Sequence, residues 1–289
     1  MRILRKQARN LPAILFLLPS LIGFLLFFLI PFIAGAGYAL TDNPVSGKFV
    51  GLKNILGLFG NQAFLTAIKN TLLFLAPAVS LSLLLPLAAA LVLHRPVYSK
   101  KAISLLFLSP MVIPAATVAL FWQIFFDFRG PVNQLLAIAG IKPLEWLNGS
   151  WGLAVVLTVF LWKYTGYNMV IYFVGLNNIP IEYYEAADID GAGRFAKIFS
   201  ITLPCLVPTG FFVFTISIVN SFRVFRDIYL IFGAHPNEHV YMLQNFMNNM
   251  FLQLNYPKLT SAAYVTAAFI SLLLFFLYLL ERNVTESFS

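Results

Sequence analysis

The sequence predicts an all-α protein that crosses a membrane about six times. Three observations point there. Of the 289 residues 60% are hydrophobic and only 10% charged, whereas soluble chains carry about 25% charged residues. Asp, Glu, Lys and Arg are absent from 10–41, 70–94, 102–126, 198–222 and 259–280, and 146–181 holds only Lys163. A bilayer-spanning helix needs about 20 apolar residues, which each window supplies. The windows also lack the every-second-residue alternation of a membrane barrel.

The spans are expected at 12–38, 70–93, 102–125, 151–174, 206–230 and 260–280 of one membrane domain, 1–289. Arg2, Arg5, Lys6 and Arg9 precede the first span, and "AGAG" at 34–37 resembles a cleavage site. Secretory h-regions, however, run only about 7–15 residues. The first span therefore reads as a retained signal anchor. The basic tail and the loop "HRPVYSKK" together carry seven Lys and Arg. By the positive-inside rule they set both termini in the cytoplasm. The net charge of +8 then reflects topology and lipid headgroups rather than nucleic acid.

Several chemistries leave no trace. Cys205 is the only cysteine, which excludes an intrachain disulfide and a cysteine metal cluster. His235 and His239 stand four apart in "HPNEH", but Pro236 puts them in a loop. The bland outer-loop reading outweighs a metal site there. No P-loop pattern occurs, so no ATP site is expected on this chain. No catalytic triad or nucleophile elbow stands out, and no cofactor is expected.

The densest polar cluster is "EYYEAADIDGAG", 182–193, within the connection 175–205. Pro180 suits the first turn of a helix. Glu182 and Glu185 favour that helix's N-terminal half, and Asp190-Gly191 signals its end. Asp190 is expected to cap a second helix, "AGRFAKIFSI". Leu203-Pro204 should end that helix, and Pro204 with Pro208 marks a place for bending. The result is a helix–turn–helix knob on the cytoplasmic face. Ala186 and Ala187 leave it flat enough for another backbone to approach, with Glu185 beside them as a charge to pair. The competing reading is an amphipathic helix lying on the lipid, for which acids suit poorly.

"EAADIDGAGRFAKIFSITLP" resembles the EAA loop of binding-protein-dependent ABC importer permeases. The pattern falls on Glu185, Ala186, Ala187, Gly191, Ile201, Leu203 and Pro204 without departure. "LWKYTGYNMVIYFVGLNNIP" and "SFRVFRDIYLIFG" are similar to segments of the carbohydrate, maltose-transporter-like branch. The resemblance implies a type I importer permease fold, with 175–205 as the coupling loop that inserts into an ATPase subunit. It further implies a second, different permease, two cytoplasmic ATPases holding ATP and Mg, an external solute-binding protein, and alternating access for a sugar.

Substrate-path candidates lie in spans four and five. Lys163 sits twelve residues past Trp151, about 18 Å into the bilayer, with Tyr164, Tyr167 and Asn168 around it. A buried ionisable residue faces a wet cavity or a partner; for Lys163 both readings stand, the partner being a carbonyl or acid of a neighbouring helix. Asn220, Ser221, Phe222, Arg223, Phe225 and Arg226 offer rings, hydrogen-bonding groups and cations to a carbohydrate. Arg223 has an alternative i,i+4 pair with Asp227, and Arg226 an alternative in snorkelling to the interface. Two other classes remain open. An ion-coupled secondary transporter predicts inverted repeats, and none stands out. A membrane scaffold or receptor would use the knob to dock a signalling protein.

Overall fold

The computed structural model describes residues 15–43, 45, 47–94 and 100–288. The basic tail and 95–99, which carry much of the orientation argument, lie outside these residues, as do 12–14 of the first span. Among the described residues helices dominate, and the only β feature is an isolated bridge between Thr41 and Phe49. Among the described residues five helices are long and apolar enough to cross a bilayer: Leu15–Ala39, Gln62–His94, Gly152–Asn177, Val207–Phe232 and Tyr256–Arg282.

The third expected span is not one rod. Ser104–Val112 and Ala115–Phe125 meet at 102°. Pro114 (φ −55, ψ 134) precedes the second piece. Its ring disfavours the α region for the residue before it, and its missing N–H removes a ladder bond. The first piece belongs to a helix of 13 residues and the second has 11, about 16–20 Å each at 1.5 Å per residue, too short to cross alone. The fifth span is broken as well, into Val207–Phe222 and Phe225–Phe232.

The chain divides into two compact units, Met1–Gln62 with Met247–Ala268, and Ala63–Phe246 with Phe269–Ser289. In the first unit the N-terminal span carries a π turn, Leu25–Leu29, closed by the Ile30 N–H on the Leu25 carbonyl. Pro31 follows immediately, and its missing donor explains why the ladder shifts there. The Tyr264 hydroxyl donates to the Phe32 carbonyl, and the two rings stand 4.8 Å apart. The Asn54 amide closes the helix end by donating to Ala39 O (2.9 Å) and Thr41 O (2.8 Å).

In the second unit the long helix Gln62–His94 contains Pro77 and Pro86 without a break. Phe74 and Ala78 from it meet Val156 and Phe160 of the fourth span and Ile228 beyond the fifth-span break. The Phe74 and Phe160 rings pack edge to face at 5.4 Å, a contact worth about 1 kcal/mol beyond its area. Nearer the other membrane boundary, Ala90 and Leu93 pack on Met169, Tyr172 and Leu176. Lipid tails are as apolar as these side chains, so close fit rather than water exclusion holds such helices together. Gly166 shows how close: a Cβ there would stand 1.8 Å from the Phe107 carbonyl oxygen.

Side-chain amides secure the connections at the opposite end from the 175–205 loop. Asn133 donates to Phe128 O and Leu144 O and accepts from Leu144 N and Trp146 Nε1, all within 2.9–3.0 Å. Asn70 donates to Glu238 O (2.6 Å) and Tyr241 O (3.0 Å). His235 and His239 fall in the same irregular stretch.

Candidate functional site

The knob between spans four and five forms from local rules. Its first helix is Ile181–Ile189. Pro180 stands just before it as N-cap (φ −57, ψ 135) rather than inside the first turn. Gly191 adopts φ +73, a conformation open to glycine without a Cβ clash. The turn is closed by Asp190 N–H on Ala186 O (3.1 Å) and Ala192 N–H on Ala187 O (2.9 Å).

Two expectations about the knob are corrected. Asp190 is the C-cap of the first helix. The second helix, Arg194–Lys197, starts at Gly193 in extended conformation with no side-chain cap. Asp190 stands three residues before Gly193, and its backbone N–H closes the first helix on Ala186 O instead. Nor does Leu203-Pro204 end the second segment. A π turn, Ile198–Thr202, precedes it, with the Leu203 N–H on the Ile198 carbonyl. The missing Pro204 donor is absorbed there, and helix continues through Leu203–Cys205. The break falls at Leu206 (φ −87, ψ −4), and Pro208 opens Val207–Phe222.

Two ties fold the knob on itself. Lys197 forms an ion pair with Asp188, and the Tyr184 hydroxyl bonds Thr202 Oγ1 at 2.9 Å. Glu185 and Ala186 are left exposed, with Ala187 half-buried. Ile189 is 88% and Phe195 79% exposed. Both stand bare on a loop that also carries Glu182, Glu185, Asp188 and Asp190. Ile189 and Phe195 escaped the sequence reading, although an apolar residue immediately before Asp-Gly was the available signal. Leu203 and Pro204 are half-buried at the junction with span five.

Spans four and five are joined by charge. Lys163 Nζ lies 3.1 Å from both Asp227 carboxylate oxygens, with the Lys163 side chain 21% and Asp227 6% exposed. Nζ also stands 5.5 Å from the Tyr164 ring centre. The partner reading of Lys163 therefore describes its position. The alternative Arg223–Asp227 pair does not form: Lys163 occupies both oxygens, and Arg223 and Arg226 are exposed.

The remaining candidates divide by burial. Asn168 is wholly buried and donates to Ser82 O and Ser217 Oγ, each at 3.1 Å. Ser221 Oγ donates to Ser217 O at 2.7 Å. These groups form a polar seam between spans two, four and five, a common glue of membrane helices. Phe222 is buried against Leu75, Val79 and Ile218. Tyr164, Tyr167 and Asn220 are half-buried. The structure thus brings Lys163, Tyr164 and Asp227 together and places Asn168, Ser221 and Phe222 in packed interior. Asp227, Ser217 and Ser82 had no distinguishing local signal as members of these contacts.

Residues 82–288 match the family of binding-protein-dependent transport system inner membrane components. The chain belongs to this family. Family membership sets aside the secondary-transporter and scaffold readings and makes the chain a transport subunit rather than an enzyme. It is similar to the arabinooligosaccharides transport system permease protein AraP of Bacillus subtilis, with 34% identity over 75% of this chain and 71% of that one. Its identity to the trehalose/maltose transport system permease protein MalF of Thermococcus litoralis is 31%, covering 77% of each chain. Among solved structures, a bacterial ABC transporter that imports the acidic polysaccharide alginate contains a chain superposing with a TM-score of 0.86. The identity is 27%, with 99% of this permease and 100% of that chain covered. The alginate transporter in complex with an alginate pentasaccharide-bound periplasmic protein gives a TM-score of 0.87 at 26% identity.

Proposed function

We propose that this permease forms half of the membrane path of an ATP-driven importer for an oligosaccharide received from an external binding protein. The 175–205 knob faces the cytoplasm and couples the path to a separate ATPase that holds ATP and Mg. A second permease, encoded as a different chain, supplies the other half. The observation that carries this reading is the self-braced knob, with Glu185, Ala186 and Ile189 turned outward. A part that must pass on a push has to be stiff internally and bare externally, and this one is both. The sugar class is supported by the names of AraP and MalF and by the alginate transporter. In a pull-down, Glu185→Ala and Gly191→Pro are expected to leave the permease inserted while lowering recovery of the ATPase. Wild-type recovery and uptake in both variants removes the assignment.

A second reading concerns substrate charge. Arg223 and Arg226 are exposed while Asp227 is occupied by Lys163, so two cations stand ready for an anionic sugar. An anion in a low-dielectric path needs such a counter-charge. Arg226→Gln should abolish uptake of the natural substrate and spare basal ATP hydrolysis. Near-normal uptake points to a neutral oligosaccharide.

A further inference from the structure

A cavity of about 320 Å³ lies beneath the knob, against the ends of spans two and four. Its walls combine Leu91 and Val92 with His94, Tyr184, Arg194, Lys197 and Thr202, the His94 ring standing edge to face with Phe173. The uncharged window of span two ends at residue 94, and Leu176 is next to last in the fourth-span helix. The cavity therefore sits where two spans leave the apolar layer, at headgroup level. Val92 is 63% exposed and continues the apolar wall towards the hydrocarbon.

The polar groups fix what the cavity takes. Tyr184 and Thr202 bond each other and so satisfy their hydroxyls. Lys197 spends one N–H on Asp188 and keeps two. Arg194 forms no ion pair among the described residues, leaving its planar fork of donors for a ligand. Two cations against one carboxylate leave a net positive cavity, and a guanidinium fork matches a phosphate in two-point contact. Basic pockets between helices at a membrane boundary suit anionic headgroups. Glu185 and Ile189 lie one step round the helix from Tyr184 and Asp188, so a lipid here leaves the outward face free.

We infer that this cavity binds the phosphate of an anionic phospholipid, with Arg194 and Lys197 on the headgroup and an acyl chain along Val92. The lipid is then a wedge between the span ends and the knob, making knob position sensitive to membrane composition. The inference uses the proposed orientation only to assign the leaflet.

Native mass spectrometry of the purified full-length chain, given equal dioleoyl-phosphatidylglycerol and dioleoyl-phosphatidylcholine, tests this without any ATPase. Each cation near the headgroup should favour the anionic lipid about fivefold. Arg194→Gln should lower the preference by about that factor, and Arg194→Lys should keep most of it. Val92→Trp, which fills the apolar wall, should reduce retention with both cations intact. Arg129→Gln, in a different pocket, should change nothing. Equal retention of the two lipids by the wild type overturns the proposal. So does complete displacement of phosphatidylglycerol by millimolar inorganic phosphate, which would make the site one for free phosphate. An unaltered preference in Arg194→Gln, with ATPase recovery lost in a separate pull-down, gives the arginine to a protein interface. Should Arg194→Gln not fold, Val92→Trp decides, and unchanged retention there ends the idea.

Discussion

Replacing Lys163 by Met removes the ammonium and leaves Asp227 charged, 6% exposed in its side chain, inside a membrane span. At 3.1 Å and an effective dielectric of about 20, the pair attracts by about 5 kcal/mol. Breaking a buried pair by removing one partner costs about 3–5 kcal/mol, chiefly because the other charge is stranded. For a chain of this size that corresponds to a melting temperature lowered by about 10 °C. The double variant Lys163→Met/Asp227→Leu should recover most of the loss, since two apolar groups of similar size need no partner. The exchanged pair, Lys163→Asp/Asp227→Lys, should recover part of it. Thermal melting of the purified chains in one detergent, alongside uptake in membranes, reads both properties. A Lys163→Met chain that melts with the wild type but no longer transports would place the ammonium on the substrate and refute a structural role for the pair.

Three further outcomes are expected. Gly166→Leu should cut the amount of folded permease several-fold, because even the first added carbon lands 1.8 Å from the Phe107 carbonyl oxygen; size-exclusion yield measures this. In a Cys205→Ser background, a polar thiol reagent should label a cysteine at half-buried Asn220 but not at buried Ser221 or Phe222. Labelling at all three in some trapped state would show that the seam opens. Tyr184→Phe deletes one hydrogen bond to Thr202, worth about 1 kcal/mol, and should raise hydrogen exchange across 181–205 while leaving the spans unchanged.

The sequence was most readable where structure is local. Absence of charge placed the spans to within a few residues, with two exceptions: the third is two helices bent by 102° rather than one rod, and the helix of span two begins at Gln62, because Lys69 and the polar residues beside it extend it beyond the apolar layer. The knob was legible because Pro180, Glu182, Asp190 and Gly191 act on their neighbours. Proline has no single local outcome in this chain. Pro77 and Pro86 lie within an unbroken helix, Pro204 is absorbed by a π turn, and Pro114 turns the chain by 102°. The residue type sets the missing donor in every case; what replaces it is decided by packing from distant parts. Asp227 shows the same limit. Sequence spacing offered Arg223 four residues away, whereas the partner that wins is 64 residues distant and is delivered only when spans four and five lie side by side.

The π turn at Ile198–Thr202 acts on angle as well as on hydrogen bonding. One residue corresponds to about 100° of helix rotation, so an inserted residue resets the compass bearing of everything on one side of it. The direction in which Glu185 faces is thus set partly by a one-residue offset between the knob and span five. Deleting a single residue from 198–202 would restore an even winding and change neither charge nor greasiness appreciably. It would nonetheless swing the knob about the axis of span five, until the docking side pointed elsewhere or the tie to span four gave way. Length, counted residue by residue, is as much a part of this joint as the chemistry of the groups on it.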